Sequence, residues 1–438
     1  MRKYFSAAFV LVILILAFVF TSVYAIDPKY QTVKIGLYYS STAKSEVAIS
    51  SDSGFEAGYM DSNNFVAQST LPGTTFKVSV ASGGVTINDV FYSVTNGNFA
   101  LRPLSGTVSV NNTAYRGGVE FIPNSSGLMT VINFVDINDY VAAVVGKEMS
   151  PTWHIEALKA QAVCARSFCI TAWNKHSSLG FNLCPTQDCQ AYQGISGETE
   201  STVRAATETK DQFLMYGNSV AEALYSSSGG GSTGYAKYVW GNDVAYLRAV
   251  EDPYDLGSDN PRAYWTFTLT KEEIKAKLAK ASVDIGDITD FRVTGADEYG
   301  RTYEVTIYGT NGTYVLKNDK TRSFFGFYSQ KYTITGSGTE SMHQPLYAIG
   351  TKGAQVLSSY NVQSATGSCN LGDFYIQSAT STKQHAQSST QTSDSYIING
   401  SGWGHGLGLS QYGAKARAEQ GYNYIEILQH YYVGTYVQ

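Results

Sequence analysis

The sequence predicts an α+β protein: mostly antiparallel strands, a short catalytic helical region and a second α/β lobe. Residues 34–134 alternate strand-like runs with Asn/Gly/Ser clusters, the text of a meandering antiparallel sheet. Residues 150–172 then switch to helical spacing and are rich in Ala. Residues 264–333 repeat the mixture on a smaller scale, one helical stretch followed by strands.

Taken in order, the first element is an export signal. Arg2 and Lys3 precede an unbroken apolar run from Ala7 to Phe20, and Val23-Tyr24-Ala25 offers a small-residue cleavage site. An uncleaved anchor is the alternative, since Phe5 to Tyr24 is close to the roughly 20 residues a bilayer span needs. Either way the rest of the chain is expected outside the cytoplasm, touching membrane only through residues 1–25. Five cysteines (Cys164, Cys169, Cys184, Cys189 and Cys369) are an odd number, so they cannot all pair within one exported chain.

Residues 33–135 form the N-terminal β-rich region. Val33 to Tyr39 is one strand, Phe76 to Val80 alternates with period two, and Leu128 to Val135 reads as a buried strand. Residues 136–262 are the expected catalytic core. In it Ser150-Pro151 supplies a cap and first turn for a helix over Glu156 to Ala172. Residues 263–334 are an inserted lobe, with a helix over Lys271–Ala281 and strands at Phe291–Val293 and Tyr303–Ile307. Residues 335–394, rich in Ser, Thr and Gln, read as a solvated insertion.

Residues 395–438 complete the core. Gly402, Gly404, Gly406 and Gly408 alternate with Trp403, His405, Leu407 and Leu409. In an extended strand the glycines would share one bare face, either open to a ligand or packed closely against another element. Ser410 caps a helix ending at Gly421, and a second helix covers Tyr424 to Tyr432.

Composition narrows the function. Only 15% of residues are charged, while Tyr numbers 33 and Gly 42, so the surface is polar but largely uncharged. Tyr presents a flat ring with a hydroxyl tip, which suits sugars. The net charge is -5 and no Lys/Arg run appears, which argues against a nucleic-acid partner. Gly230-Gly231-Ser232-Thr233-Gly234 fits a nucleophile-elbow pattern, but the residues after it read as strand or loop rather than the helix that motif requires. His154-Ile155-Glu156 with later cysteines is discounted as a zinc deaminase, because the cysteines are spaced too widely. His176, Cys184, Asp188 and Cys189 form the one metal-like cluster. A Cys184–Cys189 disulfide and free thiols remain alternatives.

The strongest motif runs from Tyr140 through Gly146-Lys147-Glu148-Met149 and on through Trp153 to Phe168. Further segments follow in order: Tyr225 to Gly230, Val239-Trp240 with Tyr246-Leu247, Gly300-Arg301, and Gly402 to Gly413 with His430 to Gly434. Together they resemble the stage II sporulation protein D / amidase-enhancer family. The resemblance covers roughly residues 33–438, more weakly over 335–394.

The resemblance implies a peptidoglycan lytic transglycosylase that cuts glycan strands, preferentially strands stripped of stem peptides, and leaves anhydro-muramic ends. The alternative it admits is a non-catalytic glycan binder that enhances a cell-wall amidase, with the intact Glu148-Met149 pair tilting towards the enzyme. The family's acid falls on Glu148. Read from residues alone, Glu148 sits beside Val144, Val145, Met149 and Trp153, an apolar setting suited to a proton donor. A charge placed to favour a helix start is the rival reading. One carboxyl suffices if the sugar's own C6 hydroxyl attacks, whereas a hydrolase needs two. No cofactor is then required for catalysis.

Gln161 and Arg166 are expected to face the same groove, and Gln190 and Tyr192 match the family's Gln-x-Tyr. Ser226, His405 and Gln411 are further substrate-binding candidates. Some family members hold a structural zinc with Cys and His, which points to His176, Cys184 and Cys189. Asp188 stands where those members have His.

Overall fold

A computed structural model describes residues 27–336 except Ser258, and residues 394–438, with the backbone of short hairpins between 347 and 384. The export segment, most of the 335–394 insertion and the side chain of Cys369 lie outside this description. Among the described residues no helix is long and apolar enough to cross a membrane. The chain divides into two compact units, 1–140 with 173–196, and 141–172 with 197–438.

The first unit is built from two six-stranded antiparallel sheets. One runs, in spatial order, Thr32–Tyr38, Met129–Asp136, Gly118–Pro123, Asn98–Pro103, Phe55–Asp61 and Asn64–Leu71. The other runs Thr113–Tyr115, Val108–Val110, Glu46–Ser50, Thr75–Ala81, Gly84–Ile87 and Val90–Ser93. Period-two patterning drives the burial: Phe76 and Val78 point inward and Thr75 and Lys77 outward. Phe55 of the first sheet meets Phe76 of the second at 5.5 Å between ring centres, and Phe99 meets Tyr92 at 4.7 Å. The expected strand before residue 136 is Met129–Asp136, buried from Val131 to Val135.

The second unit carries the helices: α1 (Ile137–Glu148, from Val141 onward), α2 (Ile155–Thr171), α3 (Glu200–Glu208), α4 (Ala236–Val239), α5 (Lys271–Lys280), α6 (Lys320–Ser323), α7 (Gln411–Glu419) and α8 (Tyr424–Tyr431). The cap of α2 differs from expectation. His154 fills it, its Nδ1 accepting from Glu156 N at 3.3 Å, while Ser150 closes a separate turn with Trp153. Pro151 lacks the N–H of a continuing helix, so it sits in that turn and α2 begins after it. α7 starts and stops as read: Ser410 Oγ accepts from Gly413 N at 3.2 Å, and Gly421 follows at φ +93°.

The lobe has its own core of Trp265, Ile274, Phe291, Ile307, Phe325 and Tyr332, among others. Its strands include Ile288–Ala296 and Thr302–Gly309. Ser395–Gly400 pairs between Trp265–Thr270 and Tyr332–Thr335. The residues after the insertion therefore first complete the lobe's sheet, and the Gly-rich segment comes next.

The Gly-rich segment is not the extended strand expected of it. Gly402, Gly404, Gly406 and Gly408 take φ of +81°, +114°, +73° and +66°, and only Leu409–Ser410 pair as a strand, in parallel with Tyr225–Ser226. A left-handed residue at every second position winds the chain as a loop, which only glycine adopts without strain. The glycines face protein. A Cβ on Gly406 would lie 2.5 Å from the Arg301 guanidinium, and one on Gly408 2.1 Å from the Leu224 carbonyl. The close-packing reading of the alternation therefore holds.

Candidate active site

Helix α1 delivers Glu148. Its preceding turns, Val141 to Val145, are buried, and Glu148 is its last residue, half-buried, followed by buried Met149. Gly146 permits this placement, because a Cβ there would lie 1.7 Å from the Gly197 carbonyl oxygen. Glu148 thus ends a helix, and the start of α2 lies beyond the Ser150–Trp153 turn. A carboxylate at a helix end faces the macrodipole's negative pole, so a helix-stabilising charge does not explain Glu148. Trp153 packs on Tyr412 of α7, ring centres 5.0 Å apart.

α2 and α7 also meet through two candidates. Gln411 Nε2 donates to Gln161 Oε1 at 3.4 Å, and Gln161 Nε2, fully buried, has no hydrogen-bond partner among the described residues. Arg166 does not face a groove. It is fully buried, donating from Nη1 to Gln212 O (3.2 Å) and Nη2 to Ala206 O (3.1 Å), and so ties α2 to the end of α3.

His405 is engaged on both ring nitrogens. Nδ1 accepts from Leu407 N at 3.0 Å and the other N–H donates to the Tyr225 carbonyl. Burial pushes its pKa down to about 4, so the ring is neutral above that pH, and it packs on Trp240 at 5.5 Å. Ser226 is buried in the parallel pair beside Gly404. The Gly-rich segment therefore presents fewer free polar groups than its sequence suggests.

Gln190 and Tyr192 belong to the first unit and are buried there. Gln190 Oε1 accepts from Tyr140 Oη at 3.0 Å, and Tyr192 Oη donates to Asn133 Oδ1 at 2.7 Å. Both polar groups serve the interior of that unit, in place of the sugar contact expected of them.

The sequence reading missed a buried carboxylate that organises the second unit. Asp255 Oδ2 accepts from Ser228 Oγ (2.9 Å), Gly230 N (2.5 Å) and Gly231 N (3.3 Å), and Oδ1 accepts from Ser410 Oγ (3.0 Å). It locks the Ser226–Gly231 loop to the start of α7. Arg301, also fully buried, donates to the Gly229 and Ser232 carbonyls from the other side. Ser232 itself is fully buried and accepts from Lys331 Nζ at 2.8 Å, so it offers no accessible nucleophile. The available signal was a Gly-Gly-Gly run whose N–H groups require an anion, in a chain poor in charge.

The metal-like cluster assembles within the first unit. The ligand atoms of His176, Cys184, Asp188 and Cys189 all lie within 4.8 Å of one another. Cys189 Sγ is 3.4 Å from His176 Nε2, His176 Nε2 is 3.4 Å from Asp188 Oδ2, and Cys184 Sγ is 3.7 Å from Asp188 Oδ2. Ligands bound at about 2.0–2.3 Å around a tetrahedral zinc are separated by about 3.3–3.8 Å, so these residues fit zinc. Cys184 and Cys189 are free thiols, and the hydrogen bond from Cys189 lowers the pKa of the Cys184 thiol, the direction that favours cation binding. Asn182 anchors the loop, its Oδ1 accepting from Lys34 N at 2.8 Å. Lys175 pairs with Asp188 at 3.1 Å and competes for its charge.

Residues 125–216, which include Glu148 and the cluster, match the SpoIID family of stage II sporulation proteins. The chain is 32% identical over 380 residues to a protein named amidase enhancer from Bacillus subtilis, covering 83% of this chain and 50% of that one. The chain belongs to the SpoIID/amidase-enhancer family. It is also 26% identical to stage II sporulation protein D of Bacillus subtilis (69% of this chain, 74% of that one). An uncharacterized protein of Brachyspira hyodysenteriae is 28% identical (75% and 73%). The chain spans half the length of the amidase enhancer it matches. This family member keeps Glu148 at a helix end and places a charge-locked Gly-rich loop in the same unit.

Proposed function

We propose that this chain is a peptidoglycan lytic transglycosylase, exported to the wall or anchored at the outer face of the membrane, with Glu148 as general acid and base. The observation that carries the reading is the placement of Glu148: half-buried, the last residue of α1, at the helix end where the macrodipole disfavours a negative charge. Glu148 protonates the bridging oxygen as the glycosidic bond breaks. It then takes the proton of the C6 hydroxyl as that oxygen closes on the anomeric carbon, giving an anhydro-muramic end. His176, Cys184, Cys189 and Asp188 would hold a zinc that folds the loop and takes no part in this proton transfer.

Glu148→Gln keeps size and hydrogen bonding and removes the proton. Cleavage of denuded strands, read by mass spectrometry of anhydro-muramic products, should fall at least about a hundredfold, with strand binding retained. Turnover above that level would rule out Glu148 as the acid. The relative named amidase enhancer favours a second reading, a non-catalytic strand holder that stimulates an amidase. Unchanged strands with wild-type protein, and amidase stimulation that survives Glu148→Gln, would establish it instead.

A further inference from the structure

We infer that Arg262, clasped between Tyr328 and Trp403, reads a free carboxylate on a muramyl residue of the bound glycan strand; this rests on the strand-binding part of the proposed function. The Arg262 guanidinium lies 4.1 Å from the Tyr328 ring centre and 5.4 Å from that of Trp403, and the two rings are 6.0 Å apart. Trp403 is 46% exposed, an unusual position for so large an apolar surface.

The cation is unspent. Arg102, Arg116, Arg204, Arg248, Arg292 and Arg322, the other partly or fully exposed arginines among the described residues, each reach a carboxylate. Arg262 has no such partner there. Its position is nevertheless fixed. Arg262 N donates to Asn260 Oδ1 (2.9 Å), and Asn260 Nδ2 donates to the Asp255 carbonyl (2.7 Å) and Ser228 Oγ (3.0 Å). Gly402 N donates to the Arg262 carbonyl (2.8 Å), and Trp403 exchanges both backbone hydrogen bonds with Ser228 (2.9 and 3.0 Å). The buried Asp255 hub thus holds the cation and the Trp403 ring in one arrangement, so little ordering remains to be done on binding.

The pairing selects its ligand. An uncharged polysaccharide would use the rings and leave the guanidinium idle. A sugar carrying a carboxylate uses both, because the planar guanidinium donates two parallel N–H groups to the two oxygens. On a peptidoglycan strand that carboxylate is the lactyl group of muramic acid. It is anionic when no stem peptide is attached and becomes a neutral amide when one is. Arg262 would therefore distinguish bare from substituted positions.

The test uses the full mature chain carrying Glu148→Gln, so that strands stay intact, with calorimetric titration of two probes. One is a denuded strand with free carboxyls, the other the same strand with carboxyls converted to methylamides. The free-carboxyl strand should bind about tenfold tighter, the effect of one charge-assisted contact. Adding R262Q should erase that preference without weakening the amidated strand. Adding Trp403→Ala should weaken both strands alike. A preference that survives R262Q, equal or absent binding of both strands, or equal competition by a polyglucuronate oligomer would overturn the assignment. Product analysis with wild-type Glu148 reports separately. A carboxylate preference without cleavage sinks the enzyme reading alone, and cleavage without the preference sinks this one alone.

Discussion

The two units handle buried charge in opposite ways. Among the described residues the sheet unit buries one ion pair, Lys34 with Glu120 at 2.9 Å, and its other buried polar side chains, such as Asn133 and Gln190, are uncharged. The helical unit buries Arg166, Asp252, Asp255, Arg301, Lys331 and Arg417. The cause is backbone accounting. Strands in a ladder satisfy one another's N–H and C=O groups, so their core needs few charged side chains. The loops at 226–234 and 402–408 have almost no ladder. In the first, the Gly230 and Gly231 N–H groups end on the Asp255 carboxylate and the Gly229 and Ser232 carbonyls on the Arg301 guanidinium; in the second, the Gly402, Trp403 and Gly404 N–H groups end on the carbonyls of Arg262, Ser228 and Tyr328. A chain with only 15% charged residues thus places several of them inside, where they substitute for secondary structure.

The sharpest way to break that contrast is to insert one methyl group into the loop. Gly408→Ala puts a Cβ 2.1 Å from a backbone carbonyl at φ +66°. Strain and overpacking together should cost about 3–5 kcal/mol, read as a fall in the urea midpoint. Alanine at Gly83, in a turn of the sheet unit where nothing lies within 4 Å, should cost only the positive-φ strain, about 1–2 kcal/mol. Equal losses at the two sites would refute the contrast.

The sheet unit has its own non-ladder element, the Cys/His loop. If the proposed zinc site is right, Cys184→Ser should lower bound zinc from one per chain to less than about a tenth, by elemental analysis, because a thiolate ligand is lost. With zinc about a hundredfold above its dissociation constant, the stability lost is about 3 kcal/mol. Metal-free wild-type protein with an oxidised Cys184–Cys189 pair would replace zinc by a disulfide.

The gentlest probe is pH. Burial, reinforced by Asp255 and opposed by Arg417, raises Asp252 to about 7, and Tyr431 Oη donates to it at 2.5 Å. An acid whose folded pKa exceeds its unfolded value near 3.8 keeps its proton in the native state between the two. Its stabilisation is therefore full below pH 4 and lost as pH rises to 7. Relative to Asp252→Asn, wild type should gain up to about 1.4 kcal/mol per unit as pH falls through that window. His405 and His430, both lowered to about 4 by burial, work in the opposite direction and are present in both proteins. A pH-independent difference would show that Asp252 stays ionised beside Arg417.

The legible parts of the sequence were those with local causes. Alternation in Phe76–Val80, the Ser410 cap and the stop at Gly421 each follow from residues within a few positions. So does the family motif around Glu148. The α2 cap was misplaced because Ser150-Pro151 and His154 are both plausible starts, and only the Ser150–Trp153 turn separates them. The groove candidates fared differently. Arg166, Gln190 and Tyr192 have polar side chains that suit sugars, but nothing within each stretch reveals that a carbonyl or hydroxyl distant in sequence already occupies them.

What the residues alone made legible was the α+β class, most of the strands and helices, the four-residue metal-like cluster and the family. Periodicity, capping and ligand chemistry are properties of neighbours along the chain. Only the tertiary structure decided what the alternating glycines do, because a period of two is shared by an extended strand and by a left-handed winding. It alone revealed Asp255, Arg301 and the clasped Arg262, since their partners lie up to 155 residues away and a charge is defined by what it meets.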